Sequence, residues 1–290
     1  MYQIQLTLIL FLTHLVALPL KVLTFNIWDG GSHRPLVWTQ NILDDIDPDI
    51  IVIQETKTPH THQEERIDIS RQLLSHLNRH DNKWTYKTQG WRQSIFSKHR
   101  IDSTSNYSIT IDCHDELITI FNIHLHYLYN PADVIIEENY TEKDIDKLIA
   151  CSNTRLRQIH EIITEWKGLN NTQHTIIAGD FNEPSHLDWT EAVVQAGKKP
   201  FAVEFVVTKS IEEEGFIDAF RETYPNPMET PGNTWSPIYP SFPQDRIDFI
   251  FYQSKNQKLT HRNTQIIGPE EYPKWPSDHR AVMTTFEISN

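Results

Sequence analysis

Cysteine is scarce in this 290-residue chain: Cys113 and Cys151 are the two. A pair of thiols supports no disulfide framework, and the sequence leaves open whether they bridge or remain separate, semi-buried thiols. Positive charge is short as well. Lys and Arg number 26 against 39 Asp and Glu, a net charge of −13 with a pI near 5.5. No run of Lys or Arg suits a duplex backbone, so binding nucleic acid through a broad basic face is disfavoured. A nuclease is not thereby excluded, because a bound divalent ion supplies positive charge where a phosphate sits. Internal repeats and Gly/Ser/Pro linkers are also missing, which argues for one domain. With 38% hydrophobic and 11% aromatic residues, the chain can bury a sizeable core and is not a disordered sequence.

The first twenty residues are strongly apolar, with Leu6-Thr7-Leu8-Ile9-Leu10-Phe11-Leu12 followed by Leu15-Val16-Ala17-Leu18. This resembles a secretory signal over residues 1–20, cleaved between about Ala17 and Lys21, and it predicts a secreted or periplasmic protein whose domain spans 21–290. No Lys or Arg precedes the apolar run, and Leu15 is large for its place before Ala17. An uncleaved anchor and an N-terminal core strand are therefore the alternatives, although Gln5, His14 and Pro19 suit a membrane span poorly. Asn106-Tyr107-Ser108, Asn139-Tyr140-Thr141 and Asn170-Asn171-Thr172 are glycosylation acceptors if the source is eukaryotic.

Short strands alternate with helical segments along the rest of the chain. Strands are expected at Lys21–Trp28, Asp49–Gln54, Trp84–Gln89, Arg92–Ser97, Leu117–His126, His174–Ala178, Arg246–Tyr252 and Ala281–Ile288. The unbroken Ile50-Ile51-Val52-Ile53 run predicts a strand buried on both faces. Helices are expected at Leu36–Asp45, Gln63–Arg79, Thr141–Trp166 and Trp189–Ala196, from apolar stripes at helical spacing. The Pro-rich stretch Pro225–Pro243 reads as a loop. This mixture without a composition break predicts a single α/β domain.

Polar residues gather at the strand ends. In Asn122-Ile123-His124-Leu125-His126, residues two apart share a face, so Asn122, His124 and His126 point one way. Asp180 and Asn182 converge similarly after Thr175-Ile176-Ile177. Asp248, a carboxylate inside an apolar strand, needs a partner, and a histidine is the most useful one. Each element taken singly has a plainer reading: Asn26 as a turn cap, Glu55 as a helix-start carboxylate, Gly179-Asp180-Phe181-Asn182 as a turn, Asp278-His279 as loop. The ordered set is far more specific than any member.

That order is Thr24-Phe25-Asn26-Ile27-Trp28, Val52-Ile53-Gln54-Glu55-Thr56-Lys57, Asn122-Ile123-His124-Leu125, Gly179-Asp180-Phe181-Asn182, Gly232-Asn233-Thr234-Trp235, Asp245-Arg246-Ile247-Asp248-Phe249-Ile250 and Ser277-Asp278-His279. From Lys21 to Ile288 the chain resembles the endonuclease/exonuclease/phosphatase superfamily. The resemblance implies a four-layer α/β/β/α sandwich of two packed mixed sheets flanked by helices, DNase I-like in architecture. It implies that Glu55, with Asn26 and Asp278, holds Mg²⁺ (or Mn²⁺), hard cations that take oxygen ligands. It implies that Asp180 orients or deprotonates the attacking water and Asn182 holds the phosphate. His279, paired with Asp248, acts as a general base or stabilises phosphoryl charge. His124 stands where DNase I-like or phosphatase-like members carry His, and His126 and Trp235 are candidates for substrate contact. Arg92-Gln93-Ser94-Ile95-Phe96-Ser97-Lys98 departs from the family's usual Gly-rich strand.

The expected function is a secreted, metal-dependent phosphoric ester hydrolase, monomeric and without a stable protein partner. Its acidity and the acidic segment Tyr127–Lys147 favour a small phosphate ester or a lipid head group over nucleic acid. The alternatives are an extracellular DNase I-like nuclease and a non-catalytic binding protein on the same fold. The completeness of the set argues against the last.

Overall fold

β-branched runs build two sheets, and alternation within each strand divides its side chains between two layers of core. The computed structural model describes residues 17–60, 65–79, 83–169 and 173–289. Among them the strands are β1 (Leu18–Asn26), β2 (Ile50–Gln54), β3 (Thr85–Gln89), β4 (Gln93–Ser97), β5 (Arg100–Thr104), β6 (Ser108–Cys113), β7 (Glu116–His124), β8 (His174–Asp180), β9 (Ile217–Asp218), β10 (Asp248–Ser254), β11 (Leu259–Ile267) and β12 (Ala281–Ile288). The helices are α1 (Trp28–Gly31), α2 (Leu36–Ile46), α3 (Ser70–Leu77), α4 (Pro131–Glu137), α5 (Ile145–Cys151), α6 (Asn153–Gly168), α7 (Glu191–Gln195), α8 (Val206–Glu213) and α9 (Ala219–Thr223).

One sheet runs β11-β12-β1-β2-β4-β3 and the other β5-β6-β7-β8-β10-β9. Leu20 and Val22 of β1, with Ile50 and Val52 of β2, face the second sheet's Ile118, Ile120, Ile176 and Ala178. Their neighbours Leu23, Phe25, Ile51 and Ile53 point the other way, against Ile42 and Leu43 of α2 and Leu73 of α3. On the far side, Phe121, Ile123 and Ile177 pack against Ile159 and Ile162 of α6 and Ile211 of α8. The result is the expected α/β/β/α sandwich, in which each fully buried Leu, Ile or Phe contributes roughly 1.5–3 kcal/mol.

Two parallel pairs determine where function can sit. β1 lies parallel to β2 with Asn26 opposite Gln54, and β7 lies parallel to β8 with His124 opposite Asp180. Antiparallel β10 places Asp248 beside Asp180. The polar residues that end four central strands and begin a fifth therefore meet at one pole.

Besides strands and helices the sequence did not announce, such as β5, β6, β11 and α8, three expected elements differ in extent. β1 opens at Leu18 rather than Lys21, because Leu18, Pro19 and Leu20 pair with Ile288, Glu287 and Phe286; the rest of the expected signal, residues 1–16, lies outside the described residues. The stripe over Gln63–Arg79 yields a helix only from Ser70. Ahead of it, backbone bonds tie Thr58 to Ile67 and Ile69 to Thr56, so Ile67 and Ile69 belong to a strand-like pairing. The helix expected at Thr141–Trp166 is broken into a short 3₁₀ turn, α5 and α6. A capping box between Thr141 and Asp144 starts the first piece, and Ser152 separates the last two. Cys113 and Cys151 do not pair: both are free, the first buried at the end of β6.

Gly179 is the tightest point in the second sheet. Its φ is +147°, and a Cβ there would stand 1.9 Å from the Ile123 carbonyl oxygen of β7. Gly179→Ala is expected to destabilise the protein by about 3 kcal/mol, as overpacking against rigid backbone does. Urea denaturation of the variant checks this, and an unchanged midpoint would show that β7 and β8 can separate without cost.

Candidate active site

Asp180 lies at the centre of the pole, 1% exposed, at the end of β8. Burial pushes its carboxyl up to about 6, against the opposing pull of the His279 charge and the Asn26 hydrogen bond. Asn26, at the end of β1, donates from Nδ2 to Asp180 Oδ2 at 2.9 Å and also lies 3.4 Å from Glu55 Oε1. The Asn26 amide therefore joins the two carboxylates that the two sheets deliver. Asn182 adopts φ +50°, so its backbone N–H donates to Asp180 Oδ1 at 2.8 Å while its side chain is anchored on the Leu125 carbonyl at 3.0 Å.

His279 and Asp248 form the expected pair, Nδ1 to Oδ2 at 2.9 Å, and Nε2 of the same ring faces Asp180 Oδ2 at 3.7 Å. Burial pulls the imidazole down, but the charges of Asp248 and Asp180 and the hydrogen bond it donates to Asp248 outweigh it. The ring is held well above the usual histidine range, which favours its charged form. Thr234 Oγ1 accepts the backbone N–H groups of Ile247 and Asp248 at 3.0 and 3.1 Å, fixing the strand start that presents Asp248.

Glu55 turns out of β2 in a left-handed conformation, φ +61°. Its Oε2 accepts the Asp29 backbone N–H at 2.6 Å and faces Arg92 at 3.2 Å. Asp278 lies at the edge of the Trp235 indole, whose Nε1 donates to Asp278 Oδ2 at 3.5 Å. Burial, followed by the neighbouring Glu55 charge, raises the Asp278 carboxyl, and its Oδ1 is buried without a partner. An orphaned carboxylate oxygen facing a second carboxylate is the signature of a place for a cation. The donors are all oxygens, from Glu55, Asp278 and the Asn26 amide, which suits Mg²⁺ or Mn²⁺ over softer ions.

His124 closes this group, its Nε2 3.8 Å from Glu55 Oε1 and 3.7 Å from Asp180 Oδ2. The structure thus gathers Asn26, Glu55, His124, Asp180, Asn182, Asp248, Asp278 and His279, with Trp235 beside them through Asp278. His126 is not gathered. β7 ends at His124, so the two-residue alternation stops; the His126 backbone bonds to Gln158, and its ring stacks on Tyr127. Asn122 serves the scaffold instead, stitching the sheets by donating to the Ile53 and Ser94 carbonyls at 3.0 and 3.1 Å. Arg246, a basic residue suited by type to a phosphate, is 1% exposed and consumed by Asp188 and Asp218.

Asp29, Arg92 and Ser277 complete the surroundings. Asp29 holds Arg92 against Glu55, and Ser277 Oγ donates to the Asn26 carbonyl at 2.6 Å while accepting the His279 N–H at 3.0 Å. Asp29 follows directly on Asn26-Ile27-Trp28 and was detectable as a polar residue just past a strand end. The inward turn of Arg92 had no sequence signal.

Comparison with known proteins bears on this geometry. The family model described as Endonuclease/Exonuclease/phosphatase family matches residues 23–279. A Caenorhabditis elegans protein, F14F9.5, described as uncharacterized, is 30% identical over 301 residues, covering 92% of this chain and 91% of its own. An endonuclease/exonuclease/phosphatase family protein from Leptotrichia buccalis shares the fold with a TM-score of 0.57 at 15% identity, over 93% of this chain and 100% of the other. A 3′ phosphatase, NExo, from Neisseria, solved with product DNA hairpin, does so with a TM-score of 0.56 at 16% identity, over 91% and 98%. With a match that spans nearly all of the sandwich, the chain belongs to the endonuclease/exonuclease/phosphatase family, hydrolases of phosphoester bonds that generally depend on a divalent metal.

Proposed function

We propose that this protein is a secreted, monomeric phosphoesterase that uses Mg²⁺ (or Mn²⁺) to hydrolyse a small phosphomonoester or phosphodiester, lipid head groups included. The observation that carries the reading is the buried Asn26–Asp180–His279–Asp248 chain set beside the partnerless Asp278 oxygen and Glu55. Glu55, Asn26 and Asp278 would hold the ion, which neutralises phosphate charge at a pole that otherwise repels anions. Asp180, fixed by Asn26 and the Asn182 N–H, receives the proton of the attacking water. His279, kept cationic by Asp248, faces the developing charge on phosphorus-bound oxygen, with His124 on the opposite side and Asn182 orienting the ester. Positioning and electrostatics carry most of the rate, since the reaction asks little covalent chemistry of the protein.

The substrate preference rests on charge and surface. The chain's net charge is −13, and both Arg92 and Arg246 are turned to internal carboxylates. Exposed Trp91 adjoins Arg92, exposed Tyr127, Leu128 and Tyr129 follow His124 and His126, and exposed Tyr239 and Phe242 meet Trp28 and Trp235 edge-on. An apolar rim around a charged centre suits an amphiphilic ester. Aromatic rims also stack nucleobases, and the Neisseria neighbour was solved with DNA, so an extracellular nuclease is the second reading.

Secretion is supported by the apolar N terminus and by the exposed acceptors Asn106 and Asn139. Cleavage that respects β1 falls before Leu18, because Leu20 is buried and Leu18 to Leu20 pair with β12.

Removing the metal with EDTA, or making Glu55→Ala, is expected to abolish hydrolysis; full activity in either case refutes metal dependence through Glu55. Asp180→Asn and His279→Ala should each lower kcat about 10²–10⁴-fold with folding intact, measured beside circular dichroism. Asp248→Asn is milder and moves the alkaline limb of the pH profile downward, because His279 then loses its proton at lower pH. A panel of plasmid DNA, sphingomyelin, inositol phosphates and an aryl phosphate decides the substrate. The small or lipid esters should be cleaved faster and with shallow salt dependence, whereas efficient DNA cleavage with a steep salt slope establishes the nuclease instead. N-terminal sequencing of the exported protein should begin at Leu18, and retention of Met1 overturns secretion by cleavage.

A further inference from the structure

Far from the catalytic pole, a second cluster of ligand-type side chains closes over the other end of the sandwich. Cys113 ends β6, His114 opens the two-residue loop before β7, and His99 lies in the short link that carries the chain from β4 in one sheet to β5 in the other. One ligand atom from each lies within 4.8 Å of the other two. Cys113 Sγ is 3.5 Å from His99 Nε2. Bond lengths of about 2.3 Å for zinc to sulfur and about 2.0–2.1 Å for zinc to nitrogen, at a tetrahedral angle, put those two atoms about 3.5 Å apart. The spacing is therefore already that of a tetrahedral edge.

Other features agree. His114 and Asp115 take φ of +57° and +67°, a hairpin geometry that Asn-Gly adopts without strain. Keeping a bulky imidazole in this turn brings it beside the His99 ring, whose centroid is 5.7 Å away in an edge-on arrangement. The charged groups facing the cluster are Asp49 and Asp112 on the negative side and Lys98 on the positive. Lys98 is occupied by Asp47 and Asp49, and Asp112 by Arg100. Burial pulls the His99 imidazole below the usual histidine range and pushes the Cys113 thiol up to about 12.

We propose that His99, Cys113 and His114 form a structural site for a borderline-soft divalent ion, zinc by chemistry, with water as the fourth ligand. It is distinct from the catalytic site: Cys113 pairs with Glu116 at the start of β7, and His124 lies eight residues on, about 26 Å along the strand. The thiol–imidazole set differs as sharply from the oxygen donors around Glu55. Binding forms Zn–S and Zn–N bonds and releases the Cys113 thiol proton to solvent, so affinity rises with pH. Its effect is to tie the sheet-to-sheet crossover to the β6–β7 hairpin.

The test uses the full secreted chain, stripped of metal and then saturated with Mg²⁺ to occupy the oxygen site. Zinc, titrated in competition with a chromophoric chelator, should bind one equivalent. Cobalt in its place should give a thiolate-to-metal charge-transfer band, which oxygen ligands cannot produce. His114→Gln, at an exposed position, should weaken zinc at least about tenfold; Cys113→Ser should remove the band; Glu55→Gln should leave both unchanged. The proposal falls if no charge-transfer band appears, or if folded His114→Gln binds zinc as the wild type does. Loss of the band in Glu55→Gln with retention in Cys113→Ser would move the bound ion to the catalytic pole and also overturn it.

Discussion

A carboxylate buried where two sheets meet is the constraint on which the rest of this structure depends. Asp180 is almost wholly removed from water, and an isolated carboxylate there would protonate or unfold its surroundings. Asn26, the Asn182 N–H and His279 each answer part of that cost, and each comes from a different strand end or loop. His279 in turn needs Asp248, which needs the Thr234 hydroxyl behind its strand start. The site is a chain of mutually satisfied buried groups, so removing one link leaves the next exposed to the low-dielectric interior. Truncating one partner of such a pair typically costs about 3–5 kcal/mol.

Two further buried ion pairs hold the loops that frame this chain. Arg155 of α6 is fully buried; it pairs with Glu183 at 3.0 Å and donates to the carbonyls of His126, Leu128 and Tyr129. One guanidinium thus fixes both the segment after Asn182 and the aromatic loop after His124. Arg246 does the same on the other side, binding Asp188 and Asp218 and anchoring the segment that leads into Asp248. These arginines are structural, since every guanidinium nitrogen is bonded inside the protein. That leaves the pole with acidic groups, two histidines and a rim of aromatics, which is why a bound cation is central to any phosphate chemistry there.

Legibility followed the range of the interactions. The run Ile50 to Ile53 announced a strand directly, because burial of both faces leaves an unbroken apolar signature. The helix expected over Gln63–Arg79 failed at its first half: Ile67 and Ile69 satisfied the spacing, but pairing with Thr56 to Thr58 took their backbone. His126 failed for a related reason. Alternation places side chains only while the strand lasts, and β7 stops at His124; the Leu125 N–H still bonds the Asp180 carbonyl, but the Gln158 side chain takes the His126 N–H.

The sequence alone determined the order of the strand-end motifs, the α/β class and the residue types that meet at the pole, because local alternation and composition are written residue by residue. Only the tertiary structure decided that Arg246 is buried in a scaffold pair, that Arg92 leans on Glu55, that Asp278 keeps an unpartnered oxygen and that Cys113 sits beside two histidines rather than Cys151. Those outcomes depend on residues between 14 and 251 positions apart meeting in space, and nothing in a linear pattern encodes which buried partner reaches a charge first.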